Sequence, residues 1–250
     1  MPNNTKTIAF LGATGGCGLS ALRHALTEGH SCIALCRTPS KLTDKFPPSE
    51  YPNLTVVQGN AHDAAAVRRC LAAPSDPARL VDSVVFSIGG AFIPSRLTID
   101  DPHVCERGME TLLSALAGAR ANDETQKPRI VALSTTGISK AGRDLPLVMC
   151  VMYWGMLGVP HADKEAMEDR LIQAGEDFVV VRPSLLVDGT KPAAPVRVGV
   201  EDLRGGRHVV ERKEHGYTIA REDVGRWMYE NLLRGAEGGQ YVGKAVSLTW

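Results

Sequence analysis

The stretch FLGATGGCGLSALRHAL, residues 10–26, decides how this 250-residue chain folds. Gly12, Gly15 and Gly18 follow an apolar run and open a helical pattern in which Leu19, Leu22 and Leu26 recur on one face. A second apolar run, SCIALC (31–36), then closes a strand-helix-strand unit of about 30 residues. Glycines at this spacing make a tight turn, let backbone N–H groups approach a pyrophosphate, and let the helix pack hard on the sheet. The anion then rests on the positive end of the helix. The loop GATGGCG, with Thr14, Gly16 and Cys17 between and beside the spaced glycines, is therefore a dinucleotide cradle by spacing and by context.

Outward from this unit the same alternation continues. TIAFLG (7–12), SCIALC (31–36), LTVVQG (54–59), SVVFSIGG (83–90), RIVALST (129–135) and DFVVVRP (177–183) are short apolar runs separated by helical patterns such as Met109, Leu112, Leu113 and Leu116. Continuous rather than alternating hydrophobicity fits strands covered on both faces. The pattern predicts an α/β, Rossmann-type, doubly wound parallel sheet in one domain spanning 1–250. After Pro183 the alternation breaks into Gly-, Pro- and charge-rich sequence, with strand-like pieces at 196–200 and 208–211; residues 184–220 read as a small substrate-side lobe. A helix over 221–233 and a closing strand in YVGKAVSLTW complete the chain.

The end of the second strand selects the cofactor. In LCRTPSKL (35–42), Arg37 stands where NAD-specific proteins place an acid for the ribose 2′-hydroxyl, and no carboxylate is present. Arg37 and Lys41, with Thr38 and Ser40, suit a 2′-phosphate, which points to NADP. A solvated basic loop is the alternative. Asn60, after the third strand, reads either as a polar contact to adenine or as a capping residue.

Composition narrows the remaining classes. Lys plus Arg and Asp plus Glu each total 28, and no long run of one charge marks a nucleic-acid or membrane face. A small-molecule substrate is the expected partner. The N-terminus lacks the pattern of a signal peptide. The longest apolar stretch, residues 145–160, falls short of the roughly 20 residues of a spanning helix. The six cysteines, Cys17, Cys32, Cys36, Cys70, Cys105 and Cys150, form no CxxC pair and read as free buried thiols of a cytoplasmic protein. The seven histidines show no metal-ligand spacing, and no GxSxG elbow supports acyl transfer.

With these motifs assembled, the chain resembles the atypical short-chain dehydrogenases, specifically the NAD(P)H-binding or NmrA-like group that includes biliverdin-IXβ and flavin reductases. The likeness rests on GATGGCG, RTPSKL, QGNAHD (58–63), LSTTG (133–137), ADKEAMEDRL (162–171) and VVVRPSLLVDG (179–189). Within QGNAHD, Asn60 and its neighbour Ala61 are expected to be cofactor-binding positions. The resemblance also implies that Ser87, Ile88 and Gly89 line the ribose and nicotinamide side, and that Pro183, Ser184 and Leu185 close over the carboxamide. Ser134 and Thr136 take the substrate-orienting position, because alternate residues of an extended segment point the same way. Lys164 takes the place of the lysine that grips the nicotinamide ribose; a solvated charge among Asp163, Glu165, Glu168 and Asp169 is the other reading.

One residue departs from the family pattern. The tyrosine that stands four residues before the lysine is replaced by Pro160, which suits the first turn of a helix. Tyr153, His161, Lys164 itself and water are the candidate proton sources. The apolar cluster Val148, Met149, Val151, Met152, Tyr153, Trp154, Met156 and Leu157 reads as a greasy lining for an aromatic or polycyclic ligand, or as core or a homodimer face. The leading functional expectation is an NADPH-dependent reductase of an apolar carbonyl, quinone-like or enone substrate. An NADP sensor without catalysis, and a non-redox isomerase or cyclase using His161 or Asp144, are the alternatives.

Overall fold

The computed structural model describes residues 5–93, 98–120, 125–149, 157–191, 194–235 and 237–250. The strands β1 (Thr7–Leu11), β2 (Ser31–Cys36), β3 (Leu54–Gln58), β4 (Ser83–Phe86), β5 (Arg129–Leu133), β6 (Phe178–Pro183), β7 (Arg197–Asp202), β8 (Val209–Arg212) and β9 (Lys244–Thr249) form one nine-stranded sheet. Its spatial order is β8-β7-β9-β6-β5-β4-β1-β2-β3. Strands β3 through β9 along that order run parallel, while β7 and β8 are antiparallel additions at one edge. The order reverses between β1 and β4, the switch point where ligands of open α/β sheets bind.

Each strand serves two cores because successive side chains face opposite ways. Ile8 and Phe10 of β1, with Val179 and Val181 of β6, face the layer of α1 (Gly16–Thr27) and the C-terminal helix. Ala9, Leu11 and Val180 face the other layer. After α2, a single turn at Ser40–Thr43, that layer is built from α3 (Ala64–Leu71), α4 (Val104–Ala119) and α5 (Gly158–Gln173), which supply Val67, Met109, Leu112, Met167 and Leu171. This two-sided cover is why the strands read as unbroken apolar runs.

The C-terminal part differs from the sequence reading in detail. The pieces expected at 196–200 and 208–211 are β7 and β8, and they extend the main sheet because β7 pairs with β9 from Arg197↔Thr249 to Asp202↔Lys244. Leu185–Val187 and Thr218–Ala220 pair as a separate two-stranded parallel sheet. The expected helix is α-helical only over α6 (Arg221–Met228) and continues as a π-helical turn, Tyr229–Leu233, where Arg234 N–H donates to Tyr229 C=O at 2.8 Å. No described helix is long and apolar enough to cross a membrane. The described cysteines, Cys17, Cys32, Cys36, Cys70 and Cys105, are unpaired and buried.

Candidate active site

The glycine loop is locked to the end of β4. Gly12 has φ +100°, and a Cβ there would lie 2.6 Å from both the carbonyl carbon and the oxygen of Ser87. A Cβ at Gly18 would overlap Ser87 Oγ and approach Gly12 O to 2.8 Å. Ser87 Oγ in turn donates to Gly12 O at 3.0 Å, so loop, helix and the second strand end meet without side-chain volume between them. Gly15 is the opposite case. It is exposed, and no described residue lies within 4 Å of a Cβ built on it, so its outer side is open to a ligand.

The first turn of α1 supplies the donors. Its first intrahelical bond is Leu19 N–H to Gly15 C=O at 3.2 Å, so the N–H groups of Gly16, Cys17 and Gly18 precede the helical ladder. Burial pushes the Cys17 thiol up to about 12, which keeps its sulfur uncharged beside that positive helix end. Backbone donors, open space at Gly15 and a neutral thiol together fit a pyrophosphate.

Arg37 leaves the end of β2 exposed, and Lys41 is exposed on α2. Among the described residues neither makes an ion pair or a side-chain hydrogen bond, so both cations remain available to an anion. Asn60 builds the turn after β3, accepting His62 N–H on Oδ1 at 3.2 Å. The cap of α3 belongs to Asp63, whose Oδ1 accepts from Ala65 N at 2.9 Å and Ala66 N at 3.2 Å. Ala61 is buried under α4, leaving only its backbone to a nucleotide.

Lys164 does not belong to the solvated face of α5. Its Nζ donates to Ile88 O at 2.8 Å and to Leu133 O at 2.7 Å, joining the segments that leave β4 and β5. The acids around it are committed elsewhere. Asp163 caps α4, accepting Cys105 N–H and Glu106 N–H at 2.9 Å each; Glu168 holds Arg182; Glu165 and Asp169 pair with Lys140. Pro160 lies ahead of the first intrahelical bond of α5, His161 N–H to Leu157 C=O at 2.9 Å, so its missing N–H costs nothing.

Ser134 and Thr136 are brought to the same strand end. Ser134 N–H donates to Val181 O at 2.7 Å and Thr136 N–H to Pro183 O at 3.1 Å, which carries the β5–β6 ladder past Leu133. Ser134 Oγ is buried and has no hydrogen-bond partner among the described residues. Thr136 Oγ1 instead leans on Pro183 O at 3.4 Å.

Other candidates are placed less favourably. Burial lowers His161 to about 4, so at neutral pH its ring is uncharged and is no source of an imidazolium proton. Ser184 is turned into the fold: its N–H donates to Leu248 O at 2.9 Å and its Oγ to Thr249 Oγ1 at 3.1 Å. Pro183 O is taken by Thr136, while Leu185 stays exposed. Tyr153 and the apolar residues 151–156 lie outside the described residues. Two residues escaped the sequence reading: Asp163, whose capping role depends on a helix 58 positions away, and Arg221, which stands beside Gly16.

Residues 12–234 match the family model described as NAD(P)H-binding. The chain is 39% identical to the reductase pytE of Aspergillus terreus, with 100% of both chains covered. It is 35% identical to the oxidase pynE of Aspergillus niger over 97% of this chain and 98% of that one. Its fold is similar to that of a short-chain dehydrogenase/reductase from Veillonella parvula solved in complex with NADP, with a TM-score of 0.71 at 14% identity, covering 98% of this chain and 94% of that chain.

Proposed function

Because the chain belongs to the NAD(P)H-binding family of oxidoreductases, we propose that it is an NADPH-dependent reductase of small, largely apolar carbonyl, quinone-like or enone substrates, aromatic or polycyclic in shape. The observation that carries NADPH over NADH is the pair of unpartnered cations, Arg37 and Lys41, after a strand end with no carboxylate. The Veillonella parvula protein of the same fold holds NADP. Leu147 and Val148, 70% and 69% exposed within the apolar stretch, support a greasy substrate mouth.

When bound, the reduced nicotinamide supplies a hydride. The chain's own residues do the rest. The N–H groups of Gly16, Cys17 and Gly18 hold the pyrophosphate, and Arg37 with Lys41 holds the 2′-phosphate. Lys164 Nζ holds a ribose hydroxyl while tied to Ile88 O and Leu133 O. Ser134 Oγ–H donates to the substrate oxygen and fixes its direction. With Pro160 in place of the tyrosine and His161 uncharged, the proton reaches that oxygen from water, or from Lys164 Nζ relayed through the ribose hydroxyl it holds.

Two results test this reading. Arg37→Ala should weaken NADPH binding about ten-fold or more while leaving NADH binding within about two-fold, measured by direct fluorescence titration; equal losses sink the 2′-phosphate assignment. Lys164→Ala should cut NADPH-dependent turnover of quinones, flavins and aromatic ketones by about 10²-fold, the scale on which lost positioning acts. Unchanged turnover removes Lys164 from the site. NADPH that binds tightly but is consumed with no member of that panel favours a nucleotide sensor.

A further inference from the structure

A cleft of about 190 Å³ opens where the start of α1 meets the start of α6, between Gly16, Asp188, Arg221 and Glu222. Its charges are unequally held. Glu222 is neutralised by Arg23 at 3.0 Å. Among the described residues Arg221 reaches only Asp188, Nη1 to Oδ1 at 2.8 Å, and the Asp188 side chain is 94% exposed. An ion pair so open to water contributes little and is easily exchanged. Arg221 also has five donors in its guanidinium fork, of which this pair uses one.

The same side chain lies against the phosphate cradle. A methyl placed on Gly16 would sit 3.8 Å from Arg221 Cδ, so the arginine stem runs alongside the residue that begins α1. Its charge reaches into that first turn, where it acts on the Cys17 thiol against the larger effect of burial. Ser20 Oγ donates to Glu222 O at 2.9 Å, which pins the start of α6 to α1 and keeps the arginine at this distance.

We propose that Arg221 is a second anion-binding residue of the cradle, which leaves Asp188 and closes over the dinucleotide pyrophosphate from the side opposite the α1 backbone. The inference rests on the reading that the glycine loop holds a dinucleotide, and it adds a contact that both cofactors share. Arg37 sees only the 2′-phosphate; Arg221 sees the two phosphates that NADH also carries. Asp188 acts as the resting partner that the phosphates displace.

The test measures dissociation constants of the full-length protein for NADPH and NADH by fluorescence, and for adenosine 2′-monophosphate by competition. Arg221→Gln should weaken NADPH and NADH by the same factor, about ten-fold, and leave adenosine 2′-monophosphate unchanged. Asp188→Asn should tighten both dinucleotides about two- to three-fold, and because Asp188 is almost fully exposed that variant decides the matter if Arg221→Gln does not fold. Wild-type dinucleotide affinity in Arg221→Gln, a loss confined to NADPH, or weaker binding in Asp188→Asn overturns the inference while leaving the cradle in place. Wild-type protein that binds neither dinucleotide overturns the cradle reading and the inference with it.

Discussion

Glu168→Ala is expected to lower the unfolding free energy by about 3–5 kcal/mol, the cost of leaving a buried charge without its partner. The Arg182 and Glu168 side chains are 3% and 4% exposed, and they meet through two bonds, Nη2 to Oε2 at 2.6 Å and Nε to Oε1 at 3.1 Å. Arg182 also donates to Glu201 Oε2 at 2.7 Å, which accepts from Ser139 Oγ at 2.7 Å. Removing Glu168 leaves a guanidinium in the core with one carboxylate where two are needed for its geometry. The arrangement joins α5, β6 and β7, and Glu168 lies one helical turn beyond Lys164. The loss should therefore appear both as a lower urea midpoint and as weaker dinucleotide binding. Glu168→Gln, which keeps the shape and one acceptor, should lose less; an unchanged midpoint in Glu168→Ala would show that the pair contributes nothing.

Gly12→Ala should damage both the fold and the cradle. The φ of +100° already disfavours any L side chain, and the added carbon would lie 2.6 Å from backbone atoms of Ser87, which no rotamer change relieves. The end of β4 or the glycine turn must shift, and both belong to the cradle. The expected result is a destabilisation above about 2 kcal/mol together with loss of dinucleotide affinity by at least about 10²-fold. Gly15→Ala provides the contrast. No described residue lies within 4 Å of its Cβ, so thermal stability should hold and any loss should fall on the ligand alone.

The parallel sheet is legible in the sequence because its strands are apolar along their length and because each pairs with a neighbour close in topology. The edge is not. Val198 and Val200 announce a strand, but nothing local says that its partner is β9, the last strand of the chain. Helix α5 is hard to read for a different reason. Its inward residues include Asp163 and Glu168 beside Met167 and Leu171, so ionic contacts dilute the apolar period that normally marks a buried face.

The candidate site divides along the same line. The glycine spacing and Arg37 can be read directly, since their roles depend on backbone and position. Lys164 is picked out by its place in the family pattern, while its local sequence would leave it one charge among many; the structure engages each neighbouring acid elsewhere. Arg221 leaves no signal at all, because Gly16 and Asp188, the residues that give it meaning, come from distant segments.

The two carbonyls that hold Lys164 also determine how it meets a ligand. An ammonium carries three hydrogens in tetrahedral array, and Ile88 O and Leu133 O take two of them. The third is left with one direction in space, set before any cofactor arrives. A lysine on a free surface would surrender roughly 2 kcal/mol of rotamer freedom on making such a contact. Here folding has already removed that freedom, so on the proposed reading a ribose hydroxyl would meet a donor whose orientation is fixed and whose entropy has little left to lose.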